Sequence, residues 1–103
     1  MGIRHIVLCK FRADVTVAER DAVLGELAAL RGHLPGIVAM NFGANVSPEG
    51  LDQGFAYGFT IDFADAAARD TYLDDDAHKR AGAKFVATLE GGVSGLLVVD
   101  IEI

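Results

Sequence analysis

Two histidines and one tyrosine carry the chemistry open to this chain of 103 residues. His5 is set inside an apolar run, Arg4-His5-Ile6-Val7-Leu8-Cys9-Lys10-Phe11, and Tyr72 precedes an Ala77-His78 pair. Imidazole changes charge near neutral pH, so His5 and His78 converging on one cavity would supply acid/base chemistry with no cofactor. Tyr72, if it stands one turn below His78, would orient that ring by a hydrogen bond or polarise a substrate carbonyl as an acid. The positive end of a helix dipole keeps His78 available as a base, whereas the neighbouring Asp74-Asp75-Asp76 favours its protonation, so the two effects oppose each other. The competing structural reading has Tyr72 filling the core, His78 capping a helix, and His5 buried with a hydrogen-bond partner. His33, in the last turn of the first helix, is read as local stabilisation. No nucleophile elbow, phosphate-cradling glycine loop or zinc spacing is present.

These residues must be positioned by short elements. Ile3–Phe11 reads as a strand. Thr16-Val17-Ala18-Glu19 fits a capping box, which starts a helix over Val17–Leu34. Its core face is Val23, Leu27, Leu30 and Leu34, and Pro35-Gly36 stops it. Ile37–Val46 is a second strand, residues 47–54 a loop, and Phe55–Phe63 a third strand with Phe55, Tyr57, Phe59, Ile61 and Phe63 on one face. Asp65 is placed to cap a helix through Tyr72, and the triple aspartate a helix over Ala77–Leu89. Gly91-Gly92 ends that helix, and Val93–Ile103 is the last strand.

The order β-α-β-β-α-β predicts an α+β, ferredoxin-like domain over residues 1–103: a four-stranded antiparallel sheet with helices on one face. His5, Val7, Leu96 and Val98 share one sheet face, while Ile6, Leu8, Leu97, Val99 and Ile101 make the opposite face apolar as well. Helices on one side leave that second face uncovered, and the most economical cover is the same sheet of another copy. A homodimer with a barrel-like core is therefore expected.

Composition narrows the function. The chain is 51% hydrophobic and carries a net charge of −6, with no basic stripe, which argues against nucleic acid and anionic membrane surfaces as partners. No run approaches a membrane span and no signal peptide pattern precedes the first strand, so a cytoplasmic location is expected. The single cysteine, Cys9, excludes an internal disulfide and reads as a packed core residue. The Asn45-Val46-Ser47 triplet is discarded as a glycosylation acceptor because Pro48 follows it and no export signal is seen.

Three pieces together resemble the stress-responsive A/B barrel domain family, the dimeric α/β barrels. They are residues 4–11; Leu34-Pro35-Gly36-Ile37 running on to residues 42–50; and Tyr72-Leu73 with Ala77-His78. The resemblance implies ferredoxin-like subunits that dimerise through their sheets. It also implies a site: in a plant polyketide cyclase of the family a histidine–tyrosine pair promotes a cofactor-free aldol condensation, and His78 and Tyr72 stand at the matching positions. Leu27 and Tyr57 stand where that cyclase has a tyrosine and a histidine, and Asp75-Asp76 replaces a common His-Pro. The expected pocket for a small apolar, ketide-like or aromatic molecule is lined by His5, Val7, Leu27, Tyr57 and Phe59, with His78 as base and Tyr72 as its partner in a lyase or cyclase. No cofactor is required on this reading, although some members hold magnesium through backbone carbonyls, here those of Arg31, Leu34 and Ile37. The alternative is a stress-associated structural protein whose oligomers act by being stable.

Overall fold

The computed structural model describes residues 1–103. Strand β1 (Ile3–Cys9) is followed by helices α1 (Val17–Ala28) and α2 (Leu30–His33), strands β2 (Ile37–Ala44) and β3 (Tyr57–Phe63), helices α3 (Ala66–Asp74) and α4 (Asp76–Val86), and strand β4 (Leu96–Glu102). The strands form one antiparallel sheet in the order β2-β3-β1-β4, the expected ferredoxin-like topology.

The alternation in β1 decides the layers. Ile3, His5, Val7 and Cys9 are buried while Arg4, Ile6 and Leu8 are only partly so, because a strand sends successive side chains to opposite faces. The buried set meets Phe59, Ile61 and Phe63 of β3 and the helical residues Leu24, Leu27, Leu30, Tyr72, Ala81 and Phe85 in a single core. Cys9 is fully enclosed, and burial pushes its thiol up to about 11. It is a packing residue, as expected.

The opposite face stays open. Leu97, Val99 and Ile101 are each 44–49% exposed, and a shallow depression of about 700 Å³ lies beside them between Leu8, Leu97 and the loop after β2.

Element ends depart from the sequence reading for local reasons. Strand β1 stops at Cys9 because the Lys10 N–H turns to the Gly95 carbonyl, and Phe11 is left with one isolated bridge to Leu89. The long first helix is interrupted at Ala29, yet Leu30 and Leu34 remain in the core. Strand β2 ends at Ala44, where the Asn45 side chain accepts from the Ser47 N–H and turns the chain away. Strand β3 starts at Tyr57, two residues later than predicted. Gly91 and Gly92 adopt φ of +69° and +64°, which only glycine takes without strain, and the 3₁₀ turn that follows delays β4 to Leu96.

The caps follow the sequence closely. Thr16 accepts from the Glu19 N–H at 3.1 Å while Glu19 reaches back to the Thr16 N–H, completing the capping box. Asp65 accepts from the Ala68 N–H and opens α3. Of the triple aspartate, Asp75 is the residue that caps α4.

Candidate functional site

Strand pairing brings the site residues together. His5 lies opposite Ile61 of β3 on one side and Asp100 of β4 on the other. Facing residues of an antiparallel pair put their side chains on the same side of the sheet, so Asp100 enters the helix-covered layer beside His5. Its Oδ1 stands 2.7 Å from His5 Nδ1, and its Oδ2 accepts from Arg69 Nη1 at 3.1 Å. Arg69 also donates to Asp70. With the Nδ1 proton directed at a carboxylate, the His5 ring is held in the tautomer that leaves the Nε2 lone pair free.

Tyr72 is 1% exposed and wedged between the two imidazoles. Its ring meets His5 edge-on at 5.8 Å between centroids and lies against His78 at 3.9 Å with an interplanar angle of 35°. The expected hydrogen bond within the Tyr72–His78 pair is thus replaced by ring-on-ring contact. Burial raises the Tyr72 phenol pKa, which keeps its hydroxyl protonated and a donor at neutral pH.

For His78 the contest left open by the sequence is decided by burial. Desolvation lowers its pKa and repulsion from His5, whenever that ring is protonated, adds to this, against the opposing pull of Asp75 and of a backbone hydrogen bond at Leu73. The ring is therefore mostly neutral at pH 7, and its Nδ1 is buried with no hydrogen bond of good geometry. A buried nitrogen without a partner is a costly feature that a ligand or a water satisfies.

These three groups line one cavity of about 580 Å³ between the sheet and α1, α3 and α4. Val7, Leu27, Phe59 and Phe85 form its apolar floor and walls, and Leu73, Val86, Leu96 and Val98 complete its rim. The cavity is open, not filled by Leu27 and Phe59.

Tyr57 is the exception. It pairs with Cys9, two rungs beyond Phe59 and away from His5, so the face it shares with Phe59 does not bring it to the cavity. Instead it packs edge-on against Phe11 at 5.6 Å, with the Arg20 guanidinium 5.3 Å from its ring. His33 likewise does more than favour its own helix end, since its Nε2 reaches Asp75 Oδ1 at 2.9 Å.

Asp100 and Arg69 were not anticipated. A signal for Asp100 existed, because it continues the Leu96, Val98 alternation and is the first charged residue on that stripe, ahead of Glu102 at the strand end. Arg69 had none.

The carbonyls of Arg31, Leu34 and Ile37 lie at the α2–β2 junction and do not belong to the cavity. The Leu34 carbonyl already accepts from the Ile37 N–H at 3.1 Å, and the Arg31 guanidinium donates to the adjacent Val38 carbonyl. Three neutral oxygens beside a guanidinium are a poor donor set for a hard divalent cation.

Comparison with known proteins agrees with this architecture. A family model, the stress-responsive A/B barrel domain, matches residues 3–103. The stress-response A/B barrel domain-containing protein HS1 of Arabidopsis thaliana is 26% identical over 100 residues, 97% of this chain and 88% of that protein. A dimeric ferredoxin-like protein of unknown function from Jannaschia sp. CCS1 superposes with a TM-score of 0.92 at 31% identity, with 100% of both chains covered. The hydroxynitrile lyase of Passiflora edulis shares the fold, with a TM-score of 0.88 at 17% identity over 99% of this chain and 93% of its own. With a match to the family model along almost its whole length, the chain belongs to the stress-responsive A/B barrel domain family.

Proposed function

We propose that this protein is a homodimer in which each subunit binds a small apolar molecule bearing a carbonyl group, ketide-like or aromatic, and catalyses proton transfer on it without a cofactor. The observation that carries this reading is the convergence of His5, Tyr72 and His78 on a cavity in which ten of the fourteen lining residues are hydrophobic. Neutral His78 takes a proton from the carbon next to the carbonyl. The electron pair moves onto the carbonyl oxygen, which the Tyr72 hydroxyl stabilises by donating a hydrogen bond. The resulting enolate attacks a second carbonyl, as in a cyclase. In the lyase direction His78 instead takes the proton of a β-hydroxyl, the carbon–carbon bond breaks to leave one carbonyl and one enolate, and the enolate takes that proton back from His78. His5, oriented by Asp100, is a polar wall group that accepts from a substrate hydroxyl.

Two comparisons support the reading. A protein of the same fold is a hydroxynitrile lyase, and the Jannaschia protein is dimeric. The open apolar sheet face supplies the physical reason to pair. No helix of the chain is long and apolar enough to cross a membrane, in keeping with a cytoplasmic protein.

The test uses acetophenone as the probe in deuterated buffer. Exchange of its α-protons above the buffer rate, with shifts in the imidazole resonances of His5 and His78, is expected for the unmutated protein, and His78→Ala should lose the exchange while remaining folded. No resonance shift with acetophenone or benzaldehyde, combined with a loss of several kcal/mol of stability in His78→Ala, would return the protein to the structural alternative.

A further inference from the structure

The junction between α3 and α4 contains a connection that the catalytic reading does not use. Asp75 is a single residue with hydrogen bonds to both members of the stacked pair. Its N–H donates to the Tyr72 carbonyl at 3.2 Å, and its Oδ2 accepts from the His78 N–H at 2.9 Å. Its other oxygen, Oδ1, is occupied by His33 Nε2 at 2.9 Å, from the end of α2. The side chain is 16% exposed, while that of neighbouring Asp74 is 93% exposed. The carboxylate therefore has a fixed orientation, set from the far side by a different helix.

We propose that Asp75 is the positioning residue of the Tyr72–His78 pair, and that His33 is the tether that holds its carboxylate in place. An N-cap alone needs one oxygen and no partner behind it. Here the second oxygen is tied to α2, which couples the first turn of α4, and so the His78 ring, to the body of the domain. The inference deepens the reading of the cavity as an acid/base site, where a base must be held against its partner to react.

The charge at this position has a consequence that a merely structural cap lacks. The groups facing His78 are His5 from β1, Tyr72 from α3, Lys79 from its own helix, and Asp75 from the junction. The Lys79 ammonium, and His5 whenever it is protonated, disfavour the imidazolium, while the carboxylate of Asp75 and a backbone hydrogen bond at Leu73 favour it, Asp75 being the one negative charge among these groups. Asparagine caps a helix as well as aspartate but carries no charge. The two contributions of Asp75, position and charge, can therefore be separated by substitution.

The experiment follows the His78 ring protons of the full chain by NMR from pH 5 to 8 in the unmutated protein, Asp75→Asn, Asp75→Ala and His33→Ala. Stacking on Tyr72 gives these protons an upfield ring-current shift. Asp75→Asn should keep that shift and move the His78 titration midpoint to lower pH. Asp75→Ala should lose a large part of the ring-current shift, and His33→Ala a smaller part, with His33→Gln restoring it through its own N–H donor. Should Asp75→Ala fail to fold, Asp75→Asn and the His33 pair decide the matter alone. An unmoved midpoint in Asp75→Asn, or unchanged ring-current shifts in the alanine variants, would overturn the proposal. Titration of the unmutated protein with acetophenone separates this from the functional reading. If the variants behave as stated but acetophenone moves no imidazole resonance, the positioning stands and the active-site reading falls. If acetophenone binds and the variants leave the ring where it was, the positioning falls alone.

Discussion

Removing the Asp100 carboxylate should destabilise the protein from within its candidate site, and the structure sets the size of the effect. In Asp100→Ala the buried His5, with a side chain 7% exposed, loses the acceptor that stands 2.7 Å from Nδ1. A buried donor left without a partner costs about 1–3 kcal/mol, more than the bond itself contributed, because its desolvation is no longer offset. The Arg69 contact adds less, since both side chains are 25% exposed and the pair is screened by solvent. The expected loss is about 2 kcal/mol, equivalent to roughly 8–16 °C in Tm for a domain of this size. Asp100→Asn should lose much less, because its amide oxygen still accepts from His5 and only the solvent-screened Arg69 side goes unpaired. The assay is urea denaturation at one fixed protein concentration, followed by circular dichroism. An Asp100→Ala midpoint equal to that of the unmutated protein would show that His5 is satisfied by other means and that the Asp100 contact does not orient it.

Three further outcomes are expected. Leu97→Lys places a charge on the open apolar face and should dissociate a dimer of about 22 kDa, twice the 10.9 kDa chain, with sedimentation as the check. A folded monomer of the unmutated protein at micromolar concentration would defeat the sheet-packing argument. Thr16→Ala should cost about 1 kcal/mol in urea melts and Thr16→Ser much less, because the Glu19 N–H loses its 3.1 Å acceptor in the first variant alone. Because the folded His78 pKa lies below its ordinary 6.5, the unfolded chain takes up a proton there that the folded chain refuses. Stability should fall as pH drops from 7 through 6.5, level off below the folded value, and lose that step in His78→Gln. The lowered carboxyls of Asp62 and Asp75 add a separate loss at more acid pH, on titration through their folded values.

Much of the candidate site was legible because it depends on parity. Strand alternation alone puts His5 and Val7 on one face, and helical spacing puts Leu27 on the face that meets them. What parity does not contain is distance along a strand. Tyr57 and Phe59 share a face, yet only Phe59 reaches the cavity, because the antiparallel register with β1 carries Tyr57 two rungs away toward Phe11. Asp100 was hidden for the same reason: its partnership with His5 exists only once β4 is aligned against β1.

The amino-acid order by itself determined the elements, their caps, the two apolar faces of the sheet and the identity of the imidazole and phenol groups, since each of these follows from neighbours within a few residues. The tertiary structure decided the rest. It replaced the expected Tyr72–His78 hydrogen bond with a stacked contact, settled the direction of the His78 pKa by burial, and tied His33 to Asp75 and Asp100 to Arg69. The Arg69–Asp100, His33–Asp75 and His5–Asp100 contacts join residues 31, 42 and 95 positions apart, and desolvation depends on everything packed around a group, so neither is written in any local stretch of the chain.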